Sequence, residues 1–401
     1  MNQNRPKLSI CWRRRCSLGA ALALVVFGYL AITPASSYAE LEPEQLGRVN
    51  TLPRKADPHW LWVYDMVYDY MTDGRASLID GDTGRFLGML NTGYSFTQLS
   101  LPKHYREIYS AETYYTRYTR GIRNDVVSIY SPTTLAPIAE IDIPDKRGST
   151  IPTPHNAVLT DDDRFLLVFN LTPATSVSVI DLDKRAFVGE IETPGCSLIY
   201  PSGNRRFFSL CGDGSLLDVV IDDSGEVVTA ARATKFFDPE TDPISEKGVR
   251  LNNTWYFVSF EGYLHEIDFS AQTPNFAAPW SLLSNNERQQ SWRVGGTKHL
   301  TLHKKRGLLY SIVHQGGGQE TRKDPGEAIW IYDLASRQRT GTIVPRHPTG
   351  LVEISQDDEP LLFTADVARN AIDVYDAASG NFLRSIENIG YTPTGLETPV
   401  D

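Results

Sequence analysis

The chain has 401 residues, with 39 Lys and Arg against 49 Asp and Glu, a formal net charge of −10 at pH 7. A balance this acidic argues against nucleic acid as a partner and suits a soluble exported protein.

Residues 1–39 differ in character from the rest of the chain. Arg5, Lys7 and the run Arg13-Arg14-Arg15 precede an apolar stretch from Cys16 to Ile32, and Ser37-Tyr38-Ala39 offers small residues where a signal peptidase reads. The segment reads as a cleaved signal peptide, since the apolar run is short for a retained anchor. Cleavage removes five cationic side chains and no acidic one, taking the net charge to −15. Residues 40–401 then form one exported domain with no membrane segment.

Within that domain an apolar, alternating run ends near an Asp seven times, followed each time by a short turn and a second β-rich run. The clearest copies end at Asp80, Asp181, Asp268, Asp333 and Asp376, with degenerate ones at Ser131 and Asp222. Their spacings run from 41 to 65 residues. Four short strands fit in such a period, which predicts an all-β fold, a seven-bladed β-propeller, rather than a layered α/β domain. Asp161-Asp162-Asp163 and Gln356-Asp357-Asp358-Glu359 read as hairpin turns before the anchor, and Asp82-Thr83-Gly84 and Ala378-Ser379-Gly380 as turns after it. One blade cannot bury both faces, so neighbours stack around a ring. The phrase His347-Pro348-Thr349-Gly350-Leu351 returns near the C-terminus as Tyr391-Thr392-Pro393-Thr394-Gly395-Leu396 with no repeat after it. The tail is therefore expected to supply a strand to the first blade, beside Trp60-Leu61-Trp62-Val63-Tyr64.

With Cys11 and Cys16 lost to the signal, Cys196 and Cys211 remain, and an exported chain with two thiols usually pairs them. The intervening residues read as two β runs about a Pro-Ser-Gly-Asn turn, which brings the ends together. The longest interval contains a polar, Gly-rich stretch, 315–326, that lacks the Lys-Ser/Thr ending of a phosphate cradle and reads as an exposed loop. Residues 281–290 read as a short helix.

The chain shows no nucleophile–base pair, haem-attachment motif or zinc motif. His299 and His303 are separated by a strand-like Leu300-Thr301-Leu302, so they share a face but not a metal. One stretch departs from the repeat grammar. Tyr94, Phe96, Tyr105, Tyr109, Tyr114, Tyr115 and Tyr118 lie close to Arg117, Arg120, Arg123 and Asp125. It reads either as strand packing with an Arg–Asp network at a blade edge, or as an aromatic mouth or partner surface.

Gly88-Met89 with Gly93-Tyr94, Tyr114 through Arg117, Arg120-Gly121, Arg123, Asp125-Val126-Val127, the Cys196–Cys211 pair before Gly212-Asp213-Gly214-Ser215-Leu216, Pro279-Trp280-Ser281-Leu282-Leu283, and Trp292 with Gly295-Gly296 resemble the heavy subunit of the amine dehydrogenases. Cys-Gly-Asp-Gly and Pro-Trp-Ser-Leu-Leu are closer to the aromatic amine branch than to the methylamine branch. The resemblance implies a seven-bladed propeller in a periplasmic assembly of two heavy and two light subunits. It places the cofactor, tryptophan tryptophylquinone, and the catalytic base on the light subunit, so that this chain binds no cofactor or metal and holds no catalytic residue. In the implied reaction a primary amine condenses with the quinone carbonyl, a proton leaves the α-carbon, and hydrolysis yields an aldehyde. Electrons pass to a blue-copper protein such as amicyanin or azurin. One heavy-subunit aromatic residue faces the substrate channel in the family; the resemblance places Tyr94 there, with Phe96 as its rival because the region differs by one residue in length. Two other classes stand beside this reading: a stand-alone propeller hydrolase or lactonase, and a non-enzymatic binding propeller.

Overall fold

The computed structural model describes residues 50–67, 71, 73–95, 98–149 and 153–399; the signal segment and Phe96 lie outside them. Each sequence repeat becomes an antiparallel sheet, and the described residues form seven. Numbering blades along the chain and strands outward from the axis, every anchor lies at the end of a third strand. The reason for Asp is local. The Asp80 carboxylate accepts from the amides of Asp82 and Thr83, Asp333 from Ser336, and Asp376 from Ser379. The turn is thus held by a side chain that mimics a backbone acceptor. Ser131 does the same for the Thr134 amide, which explains how a degenerate copy keeps the geometry. The turns close with a left-handed residue, Gly84 at φ 74° and Gly380 at φ 73°, and a register shift occurs between Leu78 and Ile79 and between Val374 and Tyr375.

First strands of blades 2 and 3, 3 and 4, 5 and 6, 6 and 7, and 7 and 1 touch one another around the ring. Ring closure agrees with the expectation from the tail. Pro393–Glu397 pairs antiparallel with Trp60–Asp65, so blade 1 takes its innermost strand from the C-terminus and its other three from the N-terminal part of the domain. Between blades the core is aromatic and aliphatic: Trp62, Tyr64 and Leu78 pack with Tyr105, Ile108 and Tyr130 across the 1–2 seam, and Val63 and Ile79 with Phe363 and Val374 across the 7–1 seam.

Antiparallel strands give the ring two faces. The lower face carries first-to-second and third-to-fourth turns; the upper face carries second-to-third turns and the crossovers between blades. The 7–1 seam is tied on both. On the upper face the buried Asp65 carboxylate accepts from the amides of Val67, Tyr391 and Thr392. On the lower face His59 Nδ1 lies 2.8 Å from Asp82 and Nε2 3.2 Å from Asp357 of blade 7.

Two blades are irregular. In blade 5 both Asn275–Phe276 and Trp280–Ser281 pair with Tyr263–Asp268, and in blade 6 both Arg293–Val294 and Leu300–His303 pair with Leu308–His314. The helix expected over 281–290 is shorter, Asn285–Gln289, because Trp280–Ser281 is strand and Ser284 with Glu287 forms a capping box that fixes the start. The Gly-rich loop connects Leu308–His314 to Ala328–Asp333, as expected, on the upper face.

A chain ending at Ile389 is expected to lose the first strand of blade 1 and the Asp65 ties, and to melt well below the full chain without a single cooperative transition; calorimetry checks this. His59 supplies a pH signature. Burial opposes its charge, but the hydrogen bond and charge of Asp82, aided by Asp357, raise its pKa above 6.5. A raised folded-state pKa contributes stability fully below 6.5, lost as pH rises through the raised value. His59→Gln is therefore expected to lower the melting temperature at pH 6 and to converge on the parent by pH 9.

Candidate functional site

The departure after the first anchor maps to the upper-face crossover from blade 1 to blade 2. Its backbone is held on two sides. The Tyr94 amide donates to the Thr113 carbonyl and the Ser95 amide to the Met71 carbonyl, each at 2.8 Å, while the Gly74 amide donates to the Gly93 carbonyl at 2.8 Å. Gly93 has φ +75°, and a Cβ there would lie 2.9 Å from the Thr113 carbonyl oxygen and 3.3 Å from the Tyr114 ring. Glycine alone satisfies both demands. The half-buried Tyr94 ring then meets Tyr115 edge-on, with centroids 5.2 Å apart at 81°.

The second strand of blade 2, Ile108–Tyr115, supports this edge through two polar networks. On one face the buried Glu112 carboxylate accepts from Tyr114 Oη at 2.7 Å, Ser128 Oγ at 2.6 Å and Tyr130 Oη at 2.9 Å. Burial raises its pKa against the opposing pull of those donors. On the other, Thr113 donates to Asp125 at 2.7 Å, Arg123 forks onto both Asp125 oxygens, and Arg147 Nε donates to Thr113 Oγ1 at 2.7 Å. Burial pushes the Arg147 guanidinium down to about 10, with Asp125 opposing it, so it stays charged at neutral pH.

Burial divides the aromatic stretch into two environments. Tyr105 and Tyr109 are buried, and Arg123 and Asp125 form the blade-edge network. Tyr118 is 72% exposed and its neighbour Ile122 74% exposed, at the tip of the second-to-third turn. Other exposed apolar side chains stand on the same face, Leu171, Val344 and Tyr391 among them. The strand Ile108–Tyr115 holds two buried polar residues that the aromatic count does not reveal: Glu112 and Thr113 occupy positions where a buried strand of this kind places apolar residues, and that break in the pattern is their only mark in the sequence.

The remaining candidates are distributed. Cys196 and Cys211 lie directly opposite one another on the first two strands of blade 4 and are disulfide-bonded. His303 sits at the lower end of its strand with Nε2 2.9 Å from the Asp357 carbonyl, while His299 precedes the same strand at its upper end. One group of metal-type donors occurs among the described residues, Asp57, His59 and Asp82, and the imidazole there is already engaged on both nitrogens.

Seven antiparallel blades of four or five strands among the described residues, closed by the chain's own tail and bearing aromatic loops on the upper face, define a seven-bladed β-propeller. The chain belongs to the methylamine dehydrogenase heavy chain family, whose profile, described as "Methylamine dehydrogenase heavy chain (MADH)", matches residues 57–400. It is 29% identical over 388 residues to the methylamine dehydrogenase heavy chain of Methylophilus methylotrophus, covering 92% of this chain and 93% of that one. It is 31% identical over 328 residues to that of Paracoccus versutus, covering 80% and 75%. Among solved structures it resembles a functionally unknown protein from Desulfotomaculum acetoxidans, with TM-score 0.57 and 12% identity over 84% of this chain and 98% of that one. A dihydro-heme d1 dehydrogenase gives TM-score 0.53 and 18% identity over 87% and 78%. At such identities these structures speak for the fold alone.

Gly93→Ala is expected to cost about 1–2 kcal/mol from its left-handed backbone, measured by urea denaturation, and to shift the Tyr94 ring off Tyr115, read as a change in tyrosine near-ultraviolet dichroism.

Proposed function

We propose that this chain is the heavy, cofactor-free subunit of a periplasmic amine dehydrogenase that converts primary amines to aldehyde and ammonia. The reading rests on the family match across the propeller, and it assigns the upper face to a light subunit, two of each assembling together. Tryptophan tryptophylquinone, carried by the light subunit, supplies the carbonyl that takes up the amine; no residue of this chain is assigned to holding it. This chain's part is positional. Gly93 and the Thr113 carbonyl fix the crossover, and Tyr94, braced by Tyr115, borders the path of the amine. The Tyr94 hydroxyl adds a polar group to that path, which discriminates among amines by the cost of leaving that hydroxyl unpaired. Exposed Tyr118 and Ile122 supply the aromatic and apolar contacts that anchor interfaces. Export fits the leader-like residues 1–39 and the Cys196–Cys211 disulfide. Reduced light subunit is expected to pass electrons to a blue-copper protein such as amicyanin or azurin. Within the family, the Cys211-Gly212-Asp213-Gly214 and Pro279 to Leu283 phrases resemble the aromatic amine branch more than the methylamine branch.

Co-expression with the small, cysteine-rich exported protein encoded nearby is expected to yield a complex with quinone absorbance and amine-dependent dye reduction, neither arising from this chain alone. Hydrolase activity of the isolated chain, with no such complex, would overturn the reading. In the complex, Tyr94→Phe and Tyr94→Ala are expected to change the ratio of kcat/KM between amines; an unchanged ratio in both removes Tyr94 from the channel.

A further inference from the structure

The upper face holds a second feature, at the seam of blades 5 and 6, three seams around the ring from Tyr94. A cavity of about 190 Å³ opens there, and Lys247, Arg322, Lys323 and His299 line it. In a chain of net charge −10 this concentration of cations is against the average. Glu246, 3.5 Å from Lys247, is the one carboxylate in the lining, against three basic side chains; burial lowers the Lys247 pKa and the charge of Glu246 opposes that shift. The neighbouring carboxylate of Glu261 is already shared by Arg288 and Arg293. Arg322 rests on the Phe260 ring at 5.3 Å rather than on an acid.

His299 supplies an independent observation. Its side chain is buried, at 5% exposure, and Nε2 has no hydrogen-bond partner. A sealed, unpaired polar atom costs about 1–3 kcal/mol, and a group bound in the cavity would remove that cost. Burial, reinforced by Lys247, holds the imidazole down to about 4, so it is neutral at pH 7 and its nitrogen donates or accepts according to tautomer. Ile244, Val258 and Val294 beside Phe260 form the apolar part of the lining, next to the hydroxyl residues Ser245, Ser259 and Thr297. A cationic rim over an apolar wall suits an amphipathic anion better than an inorganic one, and the volume is too small for a nucleotide.

We propose that this cavity binds the carboxylate of a small organic acid, with its charge met by Lys247, Arg322 and Lys323, its polar edge by His299 and its hydrocarbon by Ile244, Val258 and Val294. The same chemistry has two sources, a free acid or a carboxylate presented by a docked partner subunit.

Isothermal titration of the full chain with phenylacetate, 2-phenylethanol and inorganic phosphate tests this. Phenylacetate is expected to bind, with the neutral alcohol and phosphate each weaker by about tenfold, the loss of one charge-assisted contact or of the apolar wall. Lys323→Met, an exposed substitution that leaves the fold intact, is expected to weaken phenylacetate by about tenfold, and Lys247→Met by more. Absence of binding, equal binding of the alcohol, tighter binding of phosphate, or an unaltered Lys323→Met affinity overturns the proposal. Repeating the titration on the assembled complex assigns the source. Retained binding identifies a free acid, whereas binding lost on assembly, together with weaker assembly of Lys323→Met, identifies a partner carboxylate.

Discussion

Closure of the ring by the chain's own end is the constraint on which the rest depends. A propeller blade is a half-buried sheet, and seven of them satisfy one another only if the first and last also meet. Pro393–Glu397 supplies that meeting as a covalent continuation of blade 7 that is hydrogen-bonded into blade 1. The pairing draws the Glu397 carboxyl into the seam, where burial pushes it up to about 7 while Tyr64, Lys298 and Gln98 pull it down. A charged or half-protonated group is tolerated there because Tyr64 Oη and Gln98 Nε2 both donate to it. Asp65 above and His59 below add ties at the two rims of the same seam.

Closure also determines where chemistry is possible. With lower turns shortened by Asp-capped hairpins, chain length is free to vary on the upper face. The crossover at Tyr94, the turn at Tyr118, the Gly-rich loop of blade 6 and the cationic cavity all lie there. A rigid ring with an aromatic arc on one side and a cationic pocket on the other presents two chemically distinct regions to whatever docks. The Glu112 and Asp125 networks make the aromatic arc stiff, because each carboxylate receives three or more donors spread over both of its oxygens.

Much of the fold was legible in the sequence because a propeller repeats local rules. Asp at the end of a third strand caps the next turn whatever surrounds it, so its recurrence counts blades. The returning phrase at Tyr391 to Leu396 revealed closure for the same reason, since identical residues prefer identical places in a repeat. The disulfide could be read from two thiols and a hairpin between them. The short helix was misplaced by a few residues because a capping box of Ser284 and Glu287 decides its start and Trp280–Ser281 pairs into blade 5.

The sequence by itself determined the number of blades, the turn chemistry, the closing strand and the unusual stretch around Tyr94, because each depends on residues near one another in the chain. Tertiary structure decided which of the clustered tyrosines are buried and which exposed, since Tyr109 and Tyr118 differ in environment and not in local pattern. It also decided that Lys247, His299 and Lys323, far apart in sequence, share one cavity. That convergence is produced by the ring, which brings the starts of first strands and the upper turns of adjacent blades to a common edge, and no periodicity records it.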